Sequence, residues 1–582
     1  MPNYSILHKQ DIFITEKYEP DIRRDELSFL SRSFERHFNE RPYLHHTCYL
    51  FLTKTTKERS RQQSNWNTLC RGFLVPKEIR DKETVERFME AVGQFESIVN
   101  DSGLVKLERL TTEEITGTES EPGIIERYLT LSADGSRMLQ DMQLNPDEMR
   151  IGDKRLCLHT LSDLDDLPGK VRTDGRYERL STDRSDCRLS HAAPVGVMLP
   201  CDHIYNQWIF IDDSNENLSR FEKAAKNMQS LSRYSRSNQI NKEWLDEYLN
   251  EAHSNGLQSI RCHCNVIAWA ENGEELRRVK NDVGSALALM ECTPHHNTTD
   301  LPAVYWAGIP GNEADFPSEE TFYTFTGQAL CFFTAETCYR NSLSPFGIRM
   351  VDRLTGKPVF LDISDLPMKK GVVTNRNKFI LGPSGSGKSF FTNHLVRQYW
   401  EQGTHILLVD TGNSYKGLCD LIHQKTGGDD GIYFTYKEDD PISFNPFFTE
   451  DYQYDIEKRD SIKTLILTLW KREDEPPRRS EEVALSNAVS LYIEKIKKNR
   501  KIKPNFNSFY DFVKKDYRKV LADKNVREKD FDVDGFLNVL EPYYKNGEYG
   551  YLLNSDKELD LLNKRFIVFE LDVVKDNPIL FP

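Results

Sequence analysis

Gly382-Pro383-Ser384-Gly385-Ser386-Gly387-Lys388-Ser389 fits G-x-x-x-x-G-K-[ST], a pattern suited to holding a polyphosphate. The glycines let the backbone curl so that successive N–H groups point inward, and the N-terminus of a following helix adds partial positive charge. Amides from Gly385 to Lys388 would cradle the β-phosphate of ATP, with all eight residues as candidate nucleotide ligands. Lys388 would bridge the β- and γ-phosphates as the catalytic cation, and the Ser389 hydroxyl would ligate Mg2+. The bland alternative is a Gly/Ser-rich turn capping an ordinary helix. The apolar run before the motif and the helical pattern after it weigh against that.

Hydrolysis needs more than a cradle: an acidic group for the Mg2+ shell and a carboxylate or Gln to orient the attacking water. "HILLVD" ends in Asp410, but it follows the loop after a single helix and reads as a rim residue. "FIVFELD" offers Glu570 and Asp572, yet no adjacent acidic pair closes its apolar run, which reads more simply as a core strand with solvated ends. The water-orienting residues are expected beyond residue 582. The apolar ending "PILFP", without a polar tail, likewise reads as the end of a fragment.

The elements that must carry the motif are legible around it. "NKFIL" (377–381), the loop, a helix from Lys388 to Glu401 and the strand "HILLVD" (405–410) form a β-loop-α-β unit. "GIRMVDRLTGKPVFLDI" (347–363) reads as a hairpin around Thr355-Gly356. From 449 to about 545 the pattern is helical, an insertion before the strand "RFIVFELDVV" (565–574). Upstream, "HTCYLFLTKT" (46–55) and "SIRCHCNVIAWA" (259–270) read as strands. "KETVERFMEAVGQFESIVNDSG" (82–103) and "GEELRRVKNDVGSALALM" read as helices, with a polar loop over 170–190. The predicted fold class is therefore α/β: a P-loop NTPase domain over 316–582 carries the helical insertion, behind an α+β N-terminal domain over 1–315. That the first is an incomplete RecA-like domain and the second a docking domain is what a family resemblance implies.

Composition narrows the classes. The 582 residues are 38% hydrophobic, with a mean hydropathy of −0.61, and no run approaches the ~18 apolar residues of a membrane span. "MPNYSILHKQDIFI" lacks a signal-peptide layout, so a cytoplasmic protein is expected. Net charge is −14, from 77 basic and 91 acidic residues, which lowers the expectation of direct nucleic-acid binding. The 11 scattered cysteines read as reduced thiols. Cys262, Cys264, Cys292, His295 and His296 carry a zinc reading, but the Cys-x-Cys pair sits on one side of an alternating strand and reads better as small buried residues. The basic run "IEKIKKNRKIKP" (493–504) reads as a solvated helix end before it reads as a contact for DNA or an acidic partner.

An ordered set of segments resembles one family. "YWAGIPGNEADF", "DRLTGKPVFLDI", "NKFILGPSGSGKSFFTNHLVRQY", "HILLVDTGNSYKGLC", "PISFNPF" and "NGEYGYLL…FIVFELD" are similar to the TraG-type conjugation ATPases of Bacteroides-like mobile elements. These are relatives of the VirB-class ATPases of type IV secretion. The resemblance is dense from Tyr305 to Asp572 and diffuse before it. It implies a RecA-like motor domain that binds ATP and Mg2+ and works as a homo-oligomer. It also implies a peripheral position at the inner membrane, among other components of a secretion channel. Gly382 to Ser389 carry over as the nucleotide loop; Asp410, Asn445 and Pro446 match family positions without an assigned role. Family members continue past the end of this chain, and a longer stretch usually precedes "LHKQDIFI", so Met1 reads as an internal start. Weak hydrolysis is expected of this chain, as against the full-length ATPase. The competing readings are a DNA translocase or coupling protein that grips the strand itself, and a nucleotide-binding scaffold without turnover.

Overall fold

The computed structural model describes residues 3–18, 29–56, 81–132, 140–145, 148–171, 175–183, 186–231, 234–337, 339–437, 443–449, 451–471, 475–555 and 564–575. Parts of four expected segments lie outside these residues: the loop at 170–190, "PISFNPF", the helical insertion and the terminal "NPILFP". The chain divides into two compact units, 1–341 with 349–361, and 342–348 with 362–582.

The first unit is built on an antiparallel sheet. Its strands are β1 (Asn3–Glu16), β2 (Tyr43–Thr56), β3 (Met142–Leu144), β4 (Met149–Ile151), β5 (Lys154–Leu161), β6 (His203–Ile211) and β7 (Ser259–Ala270). They lie in the order β2-β1-β6-β7-β5-β4-β3, with β8 (His295–His296) on β5 and β9 (Phe322–Phe325) on β7. β7 is buried along almost its whole length because both faces of the sheet are covered. Cys262, Cys264, Val266 and Ala268 share one apolar cluster with Val279, Val283 and Leu287. Ile267 and Trp269 share another with Tyr128, Tyr305 and Phe316. β9 lies beyond residue 315 yet pairs with β7, and the hairpin of β10 (Ile348–Val351) and β11 (Pro358–Leu361) also falls in this unit. Strand pairing thus decides which core these segments join.

Helices follow the caps written in the sequence. Asn272 accepts the Glu275 N–H ahead of the helix Gly273–Leu289, whose buried stripe covers the sheet. The helix Lys82–Asp101 forms where expected, but none of its residues is buried. Among the described residues no helix is long and apolar enough to cross a membrane.

A polar network runs through the sheet. Asp11 is fully buried and accepts hydrogen bonds from His46 Nε2 (3.0 Å), Gln207 Nε2 (3.0 Å) and Thr334 Oγ1 (2.9 Å), with Lys9 beside it. Burial alone would raise its carboxyl, but the His46 hydrogen bond and the Lys9 charge hold it well below the carboxylate range. His8, His203 and His263 are also buried, and desolvation lowers them to about 3, 4 and 3.

The second unit holds a parallel sheet of β12 (Ile406–Asp410), β14 (Phe566–Glu570) and β13 (Ile432–Thr435), with β14 in the middle. The helix α1 (Lys388–Glu401) follows the glycine motif, and α2 (Lys416–Lys425) joins β12 to β13. Between β13 and β14 come α3 (Ile456–Trp470), α4 (Arg479–Lys498), α5 (Phe506–Phe512), α6 (Arg518–Asp523) and α7 (Val533–Leu540). They close on their own aromatic core, where Phe509 packs against Phe447 and Tyr492 with ring centroids 5.3 and 5.4 Å apart. One expectation fails. Residues 377–381 are not a strand: no described strand pairs with them, and Phe379 and Leu381 are 87% and 83% exposed. An apolar run becomes a strand only when a ladder partner takes up its N–H and C=O groups.

Two outcomes follow from this packing. Between pH 6.5 and about 4 the unfolded chain takes up protons that buried His8, His203 and His263 refuse, withdrawing up to about 1.4 kcal/mol per pH unit for each histidine. Asp11 extends the loss at lower pH, so urea midpoints followed by tryptophan fluorescence should fall steadily from pH 7 to 4.5. A flat profile would contradict the buried network. In the helical core, Phe509→Ala should cost about 3–5 kcal/mol, read as a lowered denaturation midpoint.

Candidate functional site

The glycine loop has the backbone its sequence demands. Gly385 and Gly387 lie in the left-handed region (φ 77° and 89°), with open space where a Cβ would stand. At Gly382 a Cβ would collide with the Ser386 side chain. Gly387 caps α1, so the first N–H groups of a 14-residue helix, unpaired within the helix, open onto the loop. Lys388 folds back over it, and its Nζ donates to the carbonyls of Gly382 (2.6 Å) and Pro383 (3.0 Å). A cation held on two loop carbonyls is already at the rim where phosphate oxygens would lie. Ser389 is exposed at the first turn. The eight residues are thus brought together at the N-terminus of α1 with the Lys388 ammonium folded over them, a set of donors that fits a Mg2+-bound polyphosphate.

Parallel pairing sets what lies beside the loop. β12 and β14 run in register, Asp410 opposite Glu570, so both carboxylates emerge at the same sheet edge. The base of this layer is anchored at the other end. Asp430 accepts the Arg565 N–H (2.7 Å) and the Trp400 Nε1–H (3.0 Å) and pairs with the Arg565 guanidinium (3.1 Å). At the carboxyl edge, Asp410 accepts the N–H groups of Thr411 (3.0 Å) and Ser414 (2.6 Å). Glu570, 3% exposed, accepts the Asn413 N–H (2.8 Å), the Asp572 N–H (2.9 Å) and, more loosely, the Tyr433 hydroxyl (3.3 Å). Burial, and then the Glu570 charge, push the Tyr433 phenol up to about 12. Asp572 turns away and pairs with Lys575 at 2.8 Å. Two of the three acidic candidates from the sequence therefore have a holding role: Asp410 and Glu570 fold the 411–415 loop, and Asp572 does not join them.

That loop packs on α1. Asn393 Nδ2 donates to the Ser389 carbonyl (2.8 Å) and the Ser414 carbonyl (3.1 Å), and the Tyr415 hydroxyl donates to Thr392 Oγ1 (2.8 Å). Ser414 Oγ lies 3.4 Å from Ser389 Oγ. Asn393, Ser414, Tyr415 and Tyr433 escape a reading of the sequence. The available signal was the polar run "DTGNSY" placed directly after an apolar strand.

The remaining candidates are dispersed. Cys262, Cys264 and Cys292 belong to an apolar cluster, where burial pushes the Cys292 thiol up to about 12. His295 and His296 are exposed on β8, and His295 pairs with Asp166 at 2.7 Å. Among the described residues no group of three or more His, Cys, Asp or Glu side chains is placed to hold a metal ion. Asn445 ties the helical core together, donating to the Pro504 carbonyl (2.8 Å) and accepting the Phe447 N–H (3.0 Å). In the basic run, Ile493 and Ile496 are fully buried while Lys497, Lys498, Arg500 and Lys501 are exposed.

Comparison with known proteins bears on the second unit. A family model described as the TraG P-loop domain matches residues 347–582. Protein TraC of Escherichia coli is 26% identical over 247 residues, covering 41% of this chain and 25% of that protein. The type IV secretion system protein virB4 of Bartonella quintana is 20% identical over 337 residues, covering 57% of this chain and 38% of the relative. The chain thus spans less than half the length of these curated relatives. A solved structure, VirB4 of Thermoanaerobacter pseudethanolicus, aligns over 40% of this chain and 59% of that one at 22% identity, with a TM-score of 0.29. Residues 347–582 thus match the TraG P-loop domain, and the chain is similar in sequence to TraC and to virB4.

Proposed function

We propose that this chain is the ATP-binding motor part of a conjugative type IV secretion system, energising transfer of DNA or protein or the assembly of a pilus. One observation carries the reading. Two left-handed glycines lead into the N-terminus of α1, beside the Lys388 ammonium and the Ser389 hydroxyl. On binding ATP, Lys388 would exchange the carbonyls of Gly382 and Pro383 for phosphate oxygens. The amides of Gly385 to Lys388 would surround the β-phosphate, and Ser389 would offer an oxygen to Mg2+. Bound Mg2+ would neutralise charge on the phosphates; orientation and charge are what this chain's residues add. The relatives' names, TraC and a type IV secretion system protein, support the same reading. We place the working protein as a homo-oligomer, peripheral at the inner membrane beside other secretion components.

The carboxylates nearest the loop, Asp410 and Glu570, are engaged with backbone N–H groups, so binding is expected to outrun turnover in this chain. Hydrolysis of Mg-ATP should stay below about 0.1 per second, against the roughly 1–1,000 per second of typical enzymes. A phosphate-release assay checks this, and brisk turnover would contradict it. Lys388→Ala should lower affinity for a fluorescent ATP analogue by about tenfold or more, the scale of losing charge-assisted hydrogen bonds, as measured by anisotropy. Unchanged affinity would remove the loop from the function.

A further inference from the structure

Glu570 is an unusual place for a carboxylate. It lies on the middle strand of the sheet, 3% exposed, and among the described residues it pairs with no cation; its close partners are the N–H groups of Asn413 and Asp572, with the Tyr433 hydroxyl farther off at 3.3 Å. Donors on both oxygens hold the group in one orientation and leave little of it for other chemistry. What it achieves is visible at its partner Asn413. Asn413 sits at φ 53°, in the left-handed region that asparagine tolerates better than other side chains. The Glu570 bond to its N–H and the Tyr433 bond to its Oδ1 (2.6 Å) hold it there.

The kink at Asn413 aims the next residue. The Ser414 N–H reaches Asp410 Oδ2 and its carbonyl takes the Asn393 amide, which also holds the Ser389 carbonyl. Ser414 Oγ then stands 3.4 Å from Ser389 Oγ, longer than the ~2.8 Å of a closed O–H···O bond and within a small rotamer adjustment of it. Ser389 is exposed, so nothing else in its surroundings need select one of its three staggered rotamers. A hydrogen bond from Ser414 would occupy one lone pair of that oxygen, leaving the other for a cation and the proton for a phosphate oxygen.

We propose that Glu570 and Ser414 are positioning residues for the Mg2+-facing hydroxyl of Ser389, Glu570 acting through the backbone of Asn413. The inference rests on the nucleotide reading of the glycine loop and adds that the metal dependence of binding is set from the middle strand. Asp410 belongs to the same assembly as the acceptor that fixes the Ser414 backbone. Tyr433 belongs to it as the second brace on Asn413.

The test is anisotropy of a fluorescent ATP analogue on the full chain, with excess Mg2+ and with EDTA. Ser414→Ala and Glu570→Gln should weaken binding about three- to tenfold in Mg2+, the scale of one hydrogen bond, and change it little in EDTA. Ser414→Thr keeps the hydroxyl and should retain the Mg2+ dependence, whereas Lys388→Ala should lose affinity under both conditions. Glutamine can accept on only one side, so Glu570→Gln is checked for folding by circular dichroism. If it unfolds, Tyr433→Phe takes its place and should give a smaller loss of the same sign. Ser414→Ala binding with the wild-type Mg2+ dependence would overturn the positioning role and leave the nucleotide site standing. A wild-type chain that does not bind the analogue would overturn both.

Discussion

The second unit depends on the parallel pairing of β12 with β14 and β13. Parallel strands deliver their carboxyl ends to one edge, and here that edge receives Asp410, Glu570 and Thr435 in register. β14 can hold the middle because its residues are apolar and β-branched or aromatic up to Glu570, and the Arg565 N–H just before it is locked by Asp430. The loop after β12 therefore has a fixed foundation, and α1 meets a wall that is already shaped.

The site is divided between backbone and side-chain work. The glycine loop uses main-chain N–H groups and one lysine, which is why it survives as a short, local pattern. The facing loop uses side chains from four elements, β12, β13, β14 and α1, to hold a left-handed asparagine and a serine. Two carboxylates that look like candidate catalytic acids are used instead as acceptors of backbone N–H groups. A carboxylate so engaged is stabilised as an anion and aimed in one direction, which suits it to holding a loop.

The first unit solves a different problem. Its sheet is covered on both faces, yet it carries His8, Asp11, His46, Asn206, Gln207 and His263 inside. Asp11 is satisfied by four donors, and His8 lies flat on Trp208 with ring centroids 3.7 Å apart. Each buried polar group restricts the register of β1 against β2 and β6, because a one-residue slip would send Asp11 to the other face without its partners.

Much of this was readable in one dimension. The glycine motif, the helix after it, the strands over β7 and β12, the hairpin and the helical stretch each follow from local rules, since glycine freedom, caps and apolar period act within a few residues. Residues 377–381 misled for the same reason: their apolar pattern is that of a strand, but pairing is a property of neighbours. Cys262 and Cys264 already read as small buried residues from the alternation of their strand, and the packed layers place them in one apolar cluster with Cys292. Asn413 and Glu570 are 157 positions apart, and no spacing rule joins them. Their contact exists because a helical segment returns the chain to β14 in register with β12. The curl of the glycine loop belongs to the sequence, since backbone torsion is a local property; the side chains that hold the loop beside it belong to the fold, since their hydrogen bonds require strands first to be set side by side.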